Sequence, residues 1–173
     1  MDNRIYSGRQ ALFNRSPITI LPSNSSSSRV MSDLEIAKQT LKKKNLTLAI
    51  AKNGEIIFQS DSHGVIGLFE AIERLGSNLE GAAVADKIVG KAAALLCAYS
   101  RVNNVFASIL SFWGKDTLER NGIKYEYEAL VPKILDRTGK SMCPFERFSL
   151  NLESPREAYF RLKEFAEKLR KGM

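Results

Sequence analysis

The segment from Gly81 to Ser100 constrains the fold more than any other part of the 173-residue chain. Gly81 to Ala85 is a short apolar run of the kind found in a central strand that is buried on both faces. Lys87 to Ser100 predicts a helix with an interior of almost entirely small or apolar residues, so this helix should be buried as well. A buried strand that leads into a buried helix needs covering layers on both sides, which predicts an α/β domain.

Short turn and cap signals divide the rest of the chain into elements. Asn53-Gly54 lies between two apolar runs and predicts a two-residue hairpin, because type I′ turns need positive φ at both central positions. Ser32-Asp33-Leu34-Glu35 fits a capping box and marks the start of the folded domain. The other predicted elements are helices over 33–44, 64–75, 87–100 and 115–121, strands over 46–52, 55–60, 81–85, 104–111 and 123–127, at most one helical turn over 129–135, a loop over 136–145 and a C-terminal helix capped by Ser154-Pro155.

The order of these elements predicts one sheet with helices on both faces. A hairpin followed by alternating helices and strands requires parallel crossovers, and the result is a five-stranded mixed sheet in a single domain over residues 32–171. Residues 1–31 predict a flexible extension, because the polar run at 23–28 buries too little apolar surface to offset its ordering entropy. Two alternatives for this segment are a transit peptide and a translation start at Met31.

Composition limits the partners and the compartment. The net charge of +7 and the pI near 9.5 are compatible with anionic ligands, and more simply indicate a basic surface that keeps the protein in solution. No predicted helix has a one-sided run of Lys and Arg, so nucleic acid is disfavoured as a partner. Cys97 and Cys143 form no Cys-x-x-Cys pair, which predicts free thiols in the cytoplasm. No apolar run approaches the roughly 20 residues that a membrane span needs.

Two motifs carry a resemblance to a known family. The segments GAAVADKIVGKAAALL at 81–96 and RTGKSMCPFE at 137–146, together with the element order, resemble an uncharacterised prokaryotic family of unknown function. The resemblance extends from about Asp33 to Leu169. It implies the cytidine-deaminase-like fold, which is a three-layer α/β/α sandwich around a five-stranded mixed sheet.

The chemistry of zinc deaminases is missing from this chain. Such enzymes need a His-x-Glu or Cys-x-Glu at one helix start and Pro-Cys-x-x-Cys at the next, which supply three zinc ligands and a proton-shuttling carboxylate. His63 lies at the first place but is followed two residues later by Val65, and the second place has Asp86, Lys87 and Gly90. No metal site or other cofactor is therefore expected, and zinc-dependent deamination is disfavoured. His63 is predicted instead to be a polar turn residue that caps its helix.

The strand–helix junction at residues 85–91 is the first candidate site. Free backbone N–H groups at a helix start bind anions readily, and Lys87 and Lys91 would lie four apart on one helical face and favour phosphate. Asp86 would cap the helix and orient a ligand or act as an acid or base. Gly90 lowers helix propensity and would be useful if a backbone or ligand approached closely. Capping and close packing alone are the open alternative for each residue.

The loop at residues 137–146 is the second candidate site. Cys143 is held by Pro144 and has basic neighbours that would favour its thiolate, so Cys143 and Glu146 are predicted as catalytic residues together with Asp86. Thr138 and Gly139 are predicted to contact a phosphate or ribose. A half-buried structural thiol is the open alternative for Cys143.

These features predict a domain that binds a nucleotide-like, phosphate-bearing small molecule, and they leave open whether it is an enzyme. Two other functions are compatible with the sequence. One is a regulatory or oligomerisation module that has lost deaminase chemistry and associates through an exposed apolar patch, which makes a homo-oligomer an expected assembly. The other is a carrier or enzyme that depends on Cys143.

Overall fold

The computed structural model of the chain describes residues 29–172. Its strands are β1 (Leu48–Lys52), β2 (Glu55–Ser60), β3 (Ala83–Val89), β4 (Asn104–Ser111) and β5 (Lys124–Val131). Its α-helices are α1 (Asp33–Lys43), α2 (Ile66–Leu75), α3 (Lys91–Tyr99), α4 (Phe112–Arg120), α5 (Pro144–Ser149) and α6 (Pro155–Arg170), and a 3-10 turn covers Gly76–Leu79.

The five strands form one mixed sheet in the order β2-β1-β3-β4-β5. The hairpin pair β1 and β2 is antiparallel, as is the pairing of β1 with β3, whereas β3, β4 and β5 run parallel. Asn53 and Gly54 have φ of 53° and 83°, as the predicted type I′ turn requires. The predicted five-stranded mixed sheet with parallel crossovers is therefore confirmed.

Helices cover both faces of this sheet and bury two apolar clusters. On one face α1 packs Ala37 and Leu41 against Ala49, Ala85 and Phe106. The other face is covered by α2, α3 and α4, with α6 packed on α3, and its core includes Leu68, Phe69, Val84, Leu95, Leu96, Val105, Leu118 and Leu162. The predicted three-layer sandwich and the burial of the alanine-rich helix are thus confirmed.

The boundary between β3 and α3 differs from the prediction. The strand continues past Ala85 to Val89, because Ile88 and Val89 pair with Ile109 and Leu110 of β4. Gly90 is the N-cap of α3, with extended backbone at φ −99° and ψ −169°. The predicted helix start at Lys87 is wrong, since cross-strand pairing outweighs the low strand propensity of the charged residues before it.

The second half of the chain has further differences. Helix α4 starts at Phe112 rather than Lys115, because the Ser111 hydroxyl caps it by accepting a hydrogen bond from the N–H of Gly114. Strand β5 runs to Val131, so the predicted end of this strand at Tyr127 is wrong, and residues 129–135 contain no helical turn. The predicted loop at 136–145 ends earlier than expected, because helix α5 begins at Pro144. The sequence patterns did not indicate this helix.

One sequence prediction lies mostly outside the residues that the structure describes. The flexible extension over residues 1–31 falls outside the described residues except for its last three positions. The described residues from Met31 onward form one compact unit. Within the described part of the chain, no helix combines the length and the apolar character needed to cross a membrane.

Candidate functional site

A cavity of about 550 Å³ opens where β3 ends, and we call it the Ile88 cavity. It lies among the starts of α2, α3 and α5 and the segment that joins β5 to α5. Its apolar lining consists of Val65, Ile66, Ile88, Ala92, Ala93, Ile134, Leu135, Pro144 and Phe145. Its polar lining consists of His63, Asp136, Arg137, Thr138, Cys143 and Glu146.

Glu146 is the buried polar centre of this region. Its Oε1 accepts hydrogen bonds from the backbone N–H of Lys91 at 2.8 Å and from Ser111 Oγ at 3.1 Å. Its Oε2 accepts one from the backbone N–H of Ile134 at 2.8 Å. The carboxylate therefore joins the starts of α3 and α4 to the segment after β5. It also places a negative charge at the N-terminus of α3, where the helix dipole favours an anion.

Gly90 is required by this approach of Glu146. A Cβ atom built on Gly90 would lie 2.8 Å from Glu146 Oε2 and 3.0 Å from its Cδ, which is too close for a side chain to fit. The close approach that the sequence suggested at Gly90 thus exists. The approaching group is a carboxylate of the same chain, not a ligand.

The segment between β5 and α5 forms a small hairpin over the cavity. Leu135 and Met142 form an isolated antiparallel bridge, and the N–H of Cys143 donates to the carbonyl of Ile134 at 2.8 Å. At the tip, Asp136 Oδ1 accepts from the hydroxyl of Thr138 at 2.6 Å and from its N–H at 3.0 Å. The hydroxyl hydrogen bond lowers the pKa of Asp136, so this carboxylate stays ionised and fixes the conformation of the hairpin tip.

Cys143 and His63 approach the same cavity from two sides. Cys143 is half-buried at the N-cap of α5, and His63 is exposed in the turn before α2. The prediction that His63 caps its helix is wrong, because the N-cap is Val65 and no side chain among the described residues caps α2. Among the described residues, no three His, Cys, Asp or Glu side chains are grouped closely enough to hold a metal ion.

The structure brings together half of the residues predicted from sequence. The cavity is lined by Glu146, Cys143, Gly90 and Thr138, so the two candidate segments form one site. It is not lined by Asp86, Lys87, Lys91 or Gly139. The roles assigned to these residues in binding or catalysis remain predictions.

The prediction that Lys87 and Lys91 share a helical face is wrong. Lys87 lies in β3, and its Nζ donates to Asn45 Oδ1 at 3.1 Å. Lys91 is buried at the first position of α3, and its Nζ contacts the carbonyl of Leu150 at 2.9 Å and Glu153 Oε1 at 3.1 Å. Lys91 thus places its positive charge at the C-terminus of α5, where a helix dipole favours a cation.

Asp86 is a strand residue and not the predicted helix cap. It pairs with Leu48 of β1 and Ala107 of β4, is 6% exposed, and accepts a hydrogen bond from the N–H of Ile88 at 3.0 Å. Burial raises the pKa of this carboxyl to about 7. Burial also raises the pKa of Cys97, and the Asp86 carboxylate adds to that shift, so Asp86 lies near α3.

Several contributors to the cavity were missed by sequence reasoning, including Ile88 and Arg137. Ile88 is 47% exposed at the end of β3, and Arg137 extends from the hairpin. Alternation along the strand would have placed Val84, Asp86 and Ile88 on one face had β3 been extended to its true length. No local sequence signal indicates that Arg137 would face this cavity.

Comparison with known proteins identifies relatives. A family model described as a domain of unknown function, DUF1893, matches residues 36–166. The crystal structure of a DUF1893 family protein from Thermotoga maritima is similar with a TM-score of 0.71 and 31% identity, over 79% of this chain and 92% of that one. Two structures of Acinetobacter baumannii RibD match with TM-scores of 0.45 and 0.46 at 14% identity, over 56% and 58% of this chain and 35% and 36% of those chains. No curated protein matches.

Proposed function

The chain belongs to the DUF1893 family, as its two motifs predicted, and we propose that it binds a nucleotide-like small molecule in the Ile88 cavity. The observation that carries this proposal is the composition of the cavity wall. A mostly apolar pocket has polar groups gathered on the hairpin and beside it, which is the usual character of a small-molecule site.

The apolar part of the wall suits a planar heterocycle. Ile88, Val65 and Phe145 offer surfaces on which a base can pack, and the volume of about 550 Å³ falls within the ~300–1,000 Å³ of ordinary ligand pockets. Small side chains at Ala92 and Ala93 leave this space open at the start of α3. Hydrogen-bonding groups of a base would meet His63 and Cys143 at the cavity edge.

The phosphate of such a ligand would not bind at the start of α3, where the sequence predicted it. The N-terminus of α3 already holds the Glu146 carboxylate, so a second anion there would be repelled. Arg137 lines the cavity, is exposed, and makes no ion pair within residues 29–172. Its guanidinium can contact phosphate oxygens in a bidentate manner, with the ligand base directed inward toward Ile88.

Calorimetric titration with adenosine, cytidine and their 5′-monophosphates tests this proposal. We expect binding that Ile88→Trp abolishes, because an indole at that position fills the cavity from an already exposed site. Arg137→Ala should weaken the binding of a monophosphate by about tenfold and leave the nucleoside unaffected, since only the phosphate contact is removed.

Matched variants separate these effects from general damage. Ile109→Trp changes the neighbouring residue in register on β4, which does not line the cavity, and Arg147→Ala removes a nearby arginine on α5. Both should bind as the parent does. Failure of all four compounds to bind, or equal binding by Ile88→Trp and the parent, would contradict the proposal.

A second candidate function uses Cys143 as a nucleophile, and it is favoured because His63 lines the same cavity and could act as its base. We expect iodoacetamide to alkylate Cys143 faster than it alkylates glutathione at neutral pH, and His63→Gln to slow that reaction severalfold. Peptide mass spectrometry distinguishes Cys143 from the buried Cys97. A rate no higher than that of glutathione would exclude an activated thiol.

A further inference from the structure

Strand β5 lies at one edge of the sheet and is largely exposed. Within residues 29–172 it pairs with β4 alone, and most of its side chains from Lys124 to Val131 are open to solvent. The outward-facing N–H and C=O groups of such an edge are a template for another strand. In this position they remain available for pairing with a second chain.

Apolar side chains accompany this edge on the face that carries the larger core. Tyr127 is 43% exposed and lies on this face because it pairs with Ala107, which belongs to the larger core. Ile109, on the neighbouring strand β4, is 38% exposed. Phe112 and Trp113 follow at the first two positions of α4 and are 52% and 45% exposed. Large apolar groups gathered in this way are typical of a protein–protein contact.

We propose that β5 pairs antiparallel with β5 of a second copy of this chain, about a two-fold axis that passes through Glu126. The two five-stranded sheets then become one continuous sheet of roughly twice the width. An antiparallel pair of identical strands is self-complementary, so each copy contributes the same surface and the assembly closes as a dimer.

The charges along β5 select this register. Centring on Glu126 places Lys124 of one copy opposite Glu128 of the other, twice, and Tyr125 opposite Tyr127. Centring one residue later would place Glu126 opposite Glu128 twice and Lys124 opposite Leu130, which gives two like-charge contacts and no opposite-charge contact. The register centred on Glu126 has one like-charge contact, between the two Glu126 side chains, and two opposite-charge contacts. Centring one residue earlier shortens the paired segment. Lys124 makes no ion pair within the described part of its own chain, so it is available for a partner.

Helix α1 neutralises the acidic groups that meet at the axis. Lys38 Nζ lies 2.7 Å from Glu126 Oε2, and Lys42 forms an ion pair with Glu128. Each of the two Glu126 side chains that face each other is therefore paired with Lys38 of its own copy. This compensation permits the close approach of the strands that backbone pairing needs.

The available area agrees with a dimer contact. Four large apolar side chains that are each about half exposed offer roughly 400 Å². This is about half of the ~800 Å² that each partner buries in a standard interface, and the polar edge of β5 supplies a rim. The apolar groups and the strand edge together therefore offer an area of the order that a dimer contact needs.

Site-directed disulfide formation tests the register directly. In Glu126→Cys, the two cysteines face each other across the axis with Cα atoms roughly 5 Å apart, which suits a disulfide. We expect mild oxidation to cross-link most of this variant. In the control Ala129→Cys, the cysteines are offset by about 20 Å along the strands, so no cross-link should form. The parent, which retains Cys97 and Cys143, measures background oxidation.

Light scattering after size exclusion of the full chain tests the assembly. We expect a dimer that Lys124→Glu weakens by about tenfold, because it creates two like-charge contacts with Glu128. Adding Glu128→Lys to that variant should restore most of the dimerisation, because the charge pair between the copies is reversed, whereas the ion pair of Glu128 with Lys42 inside each copy is lost. Thermal melts of each variant show whether the fold is intact.

Three results would overturn the proposal. They are a parent that is monomeric at about 100 µM, where a micromolar dimer would be populated, a dimer that the charge variants leave unchanged, and equal cross-linking of Glu126→Cys and Ala129→Cys. None of these measurements depends on a ligand, so they are independent of the proposed nucleotide binding.

Discussion

Replacing Glu146 with glutamine is expected to lower the free energy of unfolding by about 2–4 kcal/mol, a large part of the stability of a domain of this size. Glutamine keeps one acceptor oxygen and replaces the other with a donor. Whichever way the amide turns, it opposes the N–H of Lys91 or that of Ile134, both of which donate to the carboxylate in the native protein. The negative charge at the start of α3 is also lost.

Urea denaturation followed by circular dichroism measures this loss. Glu164→Gln is the matched control, because Glu164 is exposed on α6 and its one ion pair among residues 29–172 is with nearby Lys168, so its replacement should change the stability far less than that of Glu146. A change of the same small size at Glu146 would show that its three hydrogen bonds contribute little to stability.

The contact with Gly90 makes the two positions energetically coupled. Gly90→Ala places a Cβ 2.8 Å from Glu146 Oε2 and should destabilise the parent strongly. In a Glu146→Ala background that steric conflict is gone, so Gly90→Ala should cost much less there. A double-mutant cycle that gave additive effects would contradict the close approach of these residues.

Local signals in the sequence were sufficient for most of the fold. The Asn53-Gly54 turn, the Ser32 cap and the Ser154-Pro155 helix start each depend on residues within a few positions of one another, and all three are present in the structure. The alanine-rich helix showed its burial in its own composition. Alternation of strands and helices then restricted the topology to parallel crossovers.

The candidate site was harder to predict from the sequence, because the residues that form it are far apart in the chain. Glu146 caps a helix that begins 55 residues earlier, and no local pattern joins the two. The sequence therefore assigned the free helix start to an external anion. Gly90 was singled out correctly as a place of close approach, but the approaching group was not foreseen.

The error at Lys87 has a different physical cause. Asp86 and Lys87 have low strand propensity and suggested that the helix had begun, yet the parallel pairing of β3 with β4 continues through Val89. Because the helix starts four residues later than predicted, Lys87 lies in the sheet and Lys91 does not line the cavity. A misplaced element boundary therefore makes the predicted direction of the nearby side chains wrong, even where the type of element is predicted correctly.

The buried carboxyl of Asp86 should make the protein less stable as the pH rises from about 4 to about 7. The unfolded chain releases this proton near its ordinary pKa of 3.8, whereas burial raises the pKa in the folded protein to about 7. Between these values the folded state binds one more proton than the unfolded state, so the free energy of unfolding falls with increasing pH. Above about pH 7 the folded protein holds a buried carboxylate with one backbone hydrogen bond.

Asp86→Asn removes this ionisation while its side-chain oxygen can still accept the hydrogen bond from the N–H of Ile88. We expect the variant to be more stable than the parent by up to about 4 kcal/mol at pH 8 and nearly equal to it at pH 4. Urea denaturation at a series of pH values gives the difference, with Asp61→Asn, an exposed position, as the control that should follow the parent throughout. A variant less stable than the parent at pH 8 would mean that the Asp86 carboxylate has a favourable partner there, and so argue against its isolation within the sheet.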